Sequence, residues 1–191
     1  GINRLSIGLQ SANNDELKLL GRIHTFEQFV TNYEVARNVG FKNINVDLMY
    51  GLPGQSASQY MATVNKIIRL HPDHISAYSL IVEKGTPFYE KYKFDMVRQE
   101  AGMRTEFLPN EDELYDMEKA GQKAFMDAGY RQYETSNYAK RGMSFFLYHT
   151  LLASSWRSLS SFAMHLYILY SSSCCTSSAL GSSCSRSSSS F

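Results

Sequence analysis

The chain has 191 residues, with 19 Lys and Arg against 18 Asp and Glu and a formal charge of +1. That length suffices for one domain with a sizeable core, and scattered, balanced charge argues against a nucleic-acid partner. No charge-free apolar run reaches the roughly 20 residues of a membrane helix, so the expectation is a cytoplasmic protein with no membrane span.

The sequence starts at Gly1 with neither an initiator Met nor a signal-type segment, as expected of a piece of a longer protein. Arg4 to Gln10 reads as a short strand in which Leu5, Ile7 and Leu9 alternate. Asn13, Asn14 and Asp15 can cap a short helix over Glu16 to Leu20, stopped near Gly21. Thr25 is a candidate N-cap; Phe26, Phe29, Val30, Tyr33 and Ala36 follow at helical spacing, and Gly40 ends that helix. Ile44 to Met49 is a second strand, broken by Gly51-Leu52-Pro53-Gly54. Ser58 to Leu70 carries Tyr60, Val64, Ile67 and Ile68 at helical spacing and ends at Pro72-Asp73; Ile75 to Leu80 is a third strand. Glu83 to Met103 reads as an irregular insertion. Pro109 and Asn110 start a helix from Glu111 to about Ala128, with Tyr115, Met117, Phe125 and Met126 as core, and Tyr130 to Glu134 is a further strand. Short strands joined by helical crossovers must be parallel, so the class is α/β built on βα repeats. A barrel and an open doubly wound sheet both fit this pattern.

Near Gly142 the composition breaks. From Met143 to Phe191 the only charged residues are Arg157 and Arg186, and twelve of the twenty residues from Ser171 to Ser190 are Ser. A low-complexity tail and translation in a shifted frame both account for this; the abrupt change favours the second. Cys174, Cys175 and Cys184 all lie there, at a spacing that matches no zinc or cluster signature. His24, His71 and His74 share no metal-ligand spacing either, so no metal site is expected of this chain.

In parallel βα folds the reacting groups gather at the C-terminal ends of the strands. Gln10 ends the first strand, and Asp47 sits amid Val46 and Leu48 on the second, where a carboxylate needs a partner. Arg22 follows the short helix and can reach the same rim. Singly, each has a plain alternative: an internal ion pair or cap for Asp47, a surface position for Arg22. Together, an amide, a guanidinium and a carboxylate suit a zwitterionic, ribose-bearing ligand, because Arg matches a carboxylate bidentately.

The ordered motifs resemble one family. Asn3-Arg4-Leu5-Ser6-Ile7-Gly8-Leu9-Gln10-Ser11 with Leu20-Gly21-Arg22-Ile23-His24, then Asn45 to Gln55, then His74 to Leu80 with Glu83 and Gly85-Thr86-Pro87, and finally Tyr133 to Ala139, are similar to segments of HemW-like, coproporphyrinogen III oxidase-like radical S-adenosylmethionine (SAM) proteins. The resemblance covers nearly all of residues 1–140 in register. It implies a partial (β/α)6 TIM-type radical SAM barrel. Residues 1–108 would be its C-terminal half with the later strands, 109–142 a helix and strand after the barrel, and 143–191 the aberrant tail. By the same resemblance Arg22 would hold the methionyl carboxylate of SAM, Gln10 and Asp47 would make polar contacts to it, and Ile81 would offer backbone contact near the adenine. The [4Fe–4S] cluster ligands would lie upstream of Gly1, so the isolated chain is expected to be inactive. The family's haem motif has no match at Tyr148-His149-Thr150, and neither His149 nor His165 is assigned to haem. The implied function is a haem chaperone binding haem, SAM and a [4Fe–4S] cluster, with an unidentified haem acceptor as partner. The alternatives are the oxygen-independent oxidase of porphyrin biosynthesis, or an inactive barrel fragment.

Overall fold

A computed structural model describes residues 2–144. Apart from Met143 and Ser144, the expectations for the tail, its cysteines and its histidines fall outside the described residues. The elements run β1 (Leu5–Gln10), α1 (Asn14–Leu19), α2 (Phe26–Val39), β2 (Ile44–Tyr50), α3 (Ala57–Arg69), β3 (His74–Ser79), α4 (Pro87–Glu100), α5 (Glu111–Asp127), β4 (Arg131–Glu134) and β5 (Asn137–Ala139). Local chemistry explains most boundaries. Thr25, Ser56 and Asn110 each close a capping box at the start of α2, α3 and α5, which satisfies amides the first helical turn leaves unpaired. Gly40 ends α2 at φ 106°.

The strands form one sheet in the order β1-β2-β3-β5-β4. β1, β2 and β3 are parallel, and β5 runs antiparallel to both β3 and β4. The parallel strands advance in one direction without reversal. Right-handed crossovers then put every connecting helix on one face of the sheet. Leu9, Ile44, Val46, Leu48 and Ile75 pack there with Phe29 and Tyr33 of α2, Tyr60 and Ile67 of α3, and Met117 and Phe125 of α5. A doubly wound sheet would carry helices on both faces, so the arc is that of a barrel wall. α5 presses onto α3 closely: a Cβ on Gly121 would stand 2.6 Å from the Tyr60 hydroxyl.

Two expectations need correction. Glu83 to Met103 is not irregular, since α4 fills most of it. Thr86 caps this helix through the Tyr89 amide and Pro87 opens it, but only Tyr92 and Asp95 are buried. A helix lying so lightly on its neighbours needs no apolar stripe, and periodicity has nothing to detect. Tyr115 and Met126 are exposed, at 58% and 57%, whereas Met117 and Phe125 are core. The buried face of α5 runs through Met117, Gly121 and Phe125 at four-residue steps, and Tyr115 and Met126 lie off it.

Candidate functional site

The strand faces turned away from the helices are polar, and on β2 and at the start of β3 they are also buried. Across the sheet, Ser6 pairs with Asn45. Asp47 lies opposite Gly8 on one side and Ser76 on the other, and Ser76 in turn lies opposite Asn137. Asn45, Asp47, His74 and Ser76 are all at most 5% exposed. Asn45 Nδ2 donates to Ser6 Oγ and to Asp47 Oδ1, each at 2.7 Å. The Ser6 hydroxyl donates to Asp47 Oδ2 at 3.3 Å. Burial pushes the Asp47 carboxyl up to about 6; hydrogen bonds from Asn45, Ser6 and Ser76 and the charge of Arg4 hold the rise in check. His74 Nδ1 lies 2.6 Å from Asn45 Oδ1, and His74 Nε2 lies 2.6 Å from the Tyr133 hydroxyl.

At the end of β1 the chain turns sharply. Gln10 has φ 69°, and the Ser11 amide bonds the Leu9 carbonyl at 3.0 Å. This is a γ-turn with a non-glycine residue in its strained centre. The pairing with β2 slips at the same point, between Gly8 and Gln10, as at a bulge that re-aims a side chain. The Gln10 amide folds back over Gly8, so close that a Cβ there would stand 2.8 Å from it. With the amide oxygen and nitrogen exchanged, which removes an oxygen facing only acceptors, its NH2 group donates to the carbonyls of Gly8 and Leu9 at 3.2 and 3.1 Å. Because Gly8 pairs with Asp47, the amide lies over the residue next to Asp47 on the neighbouring strand, and the two strands run about 5 Å apart.

The turn is braced from behind. The Ser11 hydroxyl donates to Glu16, Gln55 Nε2 donates to Glu16 Oε2 at 3.0 Å, and the Ala12 amide bonds Thr63 Oγ1 at 3.1 Å. These groups tie the loop after β1 to the loop after β2 and to α3. No pattern singled out Glu16 or Thr63 for the site, and Gln55 figured only as the last residue of a family-like segment; their meeting depends on the crossover.

Arg22 lies on the loop that follows α1. Its neighbour His24 bonds the Leu9 backbone, which docks this loop at the end of β1; burial lowers the His24 pKa, and the nearby Arg22 charge adds to that. Arg22 Nε is buried without a hydrogen-bond partner. Ile81 is 57% exposed just beyond β3, at the edge of a groove of about 190 Å³ lined also by Gly51, Leu80, Val82 and Met96. Gln10 and Asp47 are thus neighbours on one face, Arg22 stands at the same end of β1, and Ile81 stands apart on the rim. Among the described residues no group of three or more His, Cys, Asp and Glu could hold a metal ion. None of their helices is long and apolar enough to cross a membrane.

The fold is a βα barrel arc with a polar face along its strands, and residues 1–67 match the family model described as the Radical SAM superfamily. That match takes in about a third of the chain. The chain is 39% identical over 142 residues to the heme chaperone HemW of Escherichia coli (strain K12), covering 74% of this chain and 34% of that protein. HemW of Bacillus subtilis (strain 168) is 39% identical over 143 residues, covering 75% and 35%. The Mus musculus protein named radical S-adenosyl methionine domain-containing protein 1, mitochondrial, is 39% identical over 142 residues, covering 74% and 30%. The chain therefore spans about a third of the length of the curated relatives it matches. Among solved structures, the E. coli coproporphyrinogen III oxidase HemN, a radical SAM enzyme, superposes with a TM-score of 0.60 at 24% identity, over 73% of this chain and 30% of that one. That likeness is one of fold.

Proposed function

We propose that this chain carries the SAM-binding half of a radical SAM haem chaperone of the cytoplasm, which would pass haem to an acceptor protein. Residues 1–108 would supply the later strands of the barrel and residues 109–142 the helix and hairpin that follow it. The observation that carries the reading is the Gln10 amide held over Gly8, the residue next to the buried Asp47 on the neighbouring strand. SAM offers an ammonium, a carboxylate and a ribose diol. The Gln10 oxygen, with its NH2 group already bonded to backbone, is left to accept from the ammonium. Asp47 accepts from ribose hydroxyls. The unpartnered Nε of Arg22 answers the methionyl carboxylate, a match suited to guanidinium geometry. The Ile81 backbone would lie near the adenine. When bound with a [4Fe–4S] cluster, SAM supplies one-electron chemistry. The described residues contain no ligand set for that cluster, so their part is to bind and orient SAM.

The haem role rests on the kinship with proteins named heme chaperones. The likeness to the oxidase is one of fold and does not extend to its reaction.

Titration of the purified chain with SAM by isothermal calorimetry tests the reading. Micromolar to millimolar binding is expected in the folded wild type. Gln10→Leu, Arg22→Met and Asp47→Leu should each weaken it about tenfold or more, as losing a charge-assisted or buried hydrogen bond does. A chain that circular dichroism shows to be folded but that ignores SAM, or variants that bind as the wild type does, would overturn it. Haem titration beside an assay for coproporphyrinogen decarboxylation then separates chaperone from oxidase, since haem binding without decarboxylation is expected.

A further inference from the structure

We infer that His74, with Tyr133 behind it, is a positioning residue for Asp47: a one-directional hydrogen-bond relay through Asn45 fixes the plane of the carboxylate that contacts SAM. This rests on the reading of Asp47 as a SAM contact.

The direction follows from donors and acceptors. Asn45 Nδ2 is committed to two acceptors, Ser6 Oγ and Asp47 Oδ1. The other end of the amide, Oδ1, therefore faces His74 Nδ1 and can only accept. His74 Nδ1 must then carry the ring proton. Burial, aided by the Arg4 charge, lowers the His74 pKa to about 4, so the ring is neutral near pH 7 and its Nε2 is an acceptor. The Tyr133 hydroxyl, 2.6 Å away, supplies the proton, and its ring meets the imidazole edge-on at 71°. Tyr133 thus donates to His74, His74 to Asn45, and Asn45 to Asp47.

The far end of this relay lies on β4, outside the parallel strands. The hairpin of β4 and β5 thereby acquires a part in the site. Nothing in simple packing requires four polar side chains in this order on a buried face, where an apolar set would avoid their desolvation. A committed orientation of Asp47 does require it. Imidazole Nδ1 is the tautomer-selecting atom, and Asn places an amide N–H near the same position.

The test compares SAM affinity in four variants of the chain. Asp47→Asn comes first: no change there ends the SAM reading itself, whatever the relay does. With that loss established, His74→Leu should weaken SAM binding about tenfold, the usual size for an outer partner of a site, and His74→Asn should recover most of it. Tyr133→Phe, which removes only a hydroxyl, should cost a smaller factor. Equal losses in His74→Leu and His74→Asn would show that ring packing, not the Nδ1 proton, matters, and would overturn the relay. Unchanged affinity in both would overturn it too. If His74→Leu does not fold, His74→Asn and Tyr133→Phe decide: near wild-type affinity in the first with a loss in the second supports the relay, and any other pair of results removes it.

Discussion

β2 is buried on both sides for opposite reasons. Ile44, Val46 and Leu48 are each 0% exposed beneath the helices, while Asn45 and Asp47, alternating with them, are 0% and 3% exposed on the other face. The first face gains free energy from removing hydrocarbon from water. The second loses some of it by burying a carboxylate, and keeps that loss tolerable with a closed set of hydrogen bonds. One strand therefore shows which side stabilises the molecule and which side is retained for chemistry. The largest predicted effect belongs to the stabilising side. Leu48→Ala leaves a cavity at a fully buried core position and should lower stability by about 4 kcal/mol, within the usual range for such truncations, as a shift of the urea midpoint with unchanged slope.

The opposite substitution, one residue away, should move stability the other way. The Asp47 carboxyl titrates at about 6 in the folded chain, against an ordinary value of 3.8. Between those two pH values the folded state holds a proton that the unfolded state has released. The contribution of this group is therefore greatest below pH 3.8, falls as pH rises through about 6, and stays low above it. The full loss is about 3 kcal/mol at most, the equivalent of the difference between the two values. Asp47→Asn keeps an oxygen for Asn45 and offers a donor to Ser6, and it has no charge to bury. It should be more stable than the wild type at pH 7.5 and should lose that advantage by pH 4. Because all other groups cancel in the difference, paired urea titrations at the two pH values isolate the effect. A variant that is destabilised at pH 7.5 would show that the charge is compensated within the sheet, and the contrast between the faces would collapse.

The same contrast governs what could be read from sequence. Alternation in β1, β2 and β3 and helical spacing in α2, α3 and α5 are records of hydrocarbon burial, so the stabilising face was legible, down to Thr25 and Asn110 as caps. Asp47 stood out because a carboxylate between Val46 and Leu48 breaks that record. Its partners did not stand out. Asn45 and His74 are ordinary polar residues until the β2–β3 register brings them to 2.6 Å. The turn at Gln10 was invisible, because nothing in Leu9-Gln10-Ser11 announces a positive φ at a non-glycine residue. β5 is three residues long and leaves no period to count.

α4 extends the comparison to a region with neither kind of face. It contributes little to the core beyond Tyr92, and one buried carboxylate ties it to the segment that follows. Asp95 is 3% exposed and accepts from the amides of Glu106, Phe107 and Leu108 at 3.0, 2.5 and 2.9 Å. Burial works to raise its pKa, but the three backbone donors together prevail and lower it. In effect the side chain closes the segment Met103 to Leu108 back onto the helix, with Arg98 alongside at 3.7 Å. Asp95→Ala leaves the buried Leu108 amide unmet and frees those of Glu106 and Phe107, and should cost about 2 kcal/mol, the penalty for one buried donor left unpaired. The loss should be local. Hydrogen exchange should accelerate at Glu106, Phe107 and Leu108 and along α4, while amides of β2 keep their protection. Uniform acceleration through β2 would mean that α4 is part of the cooperative core after all.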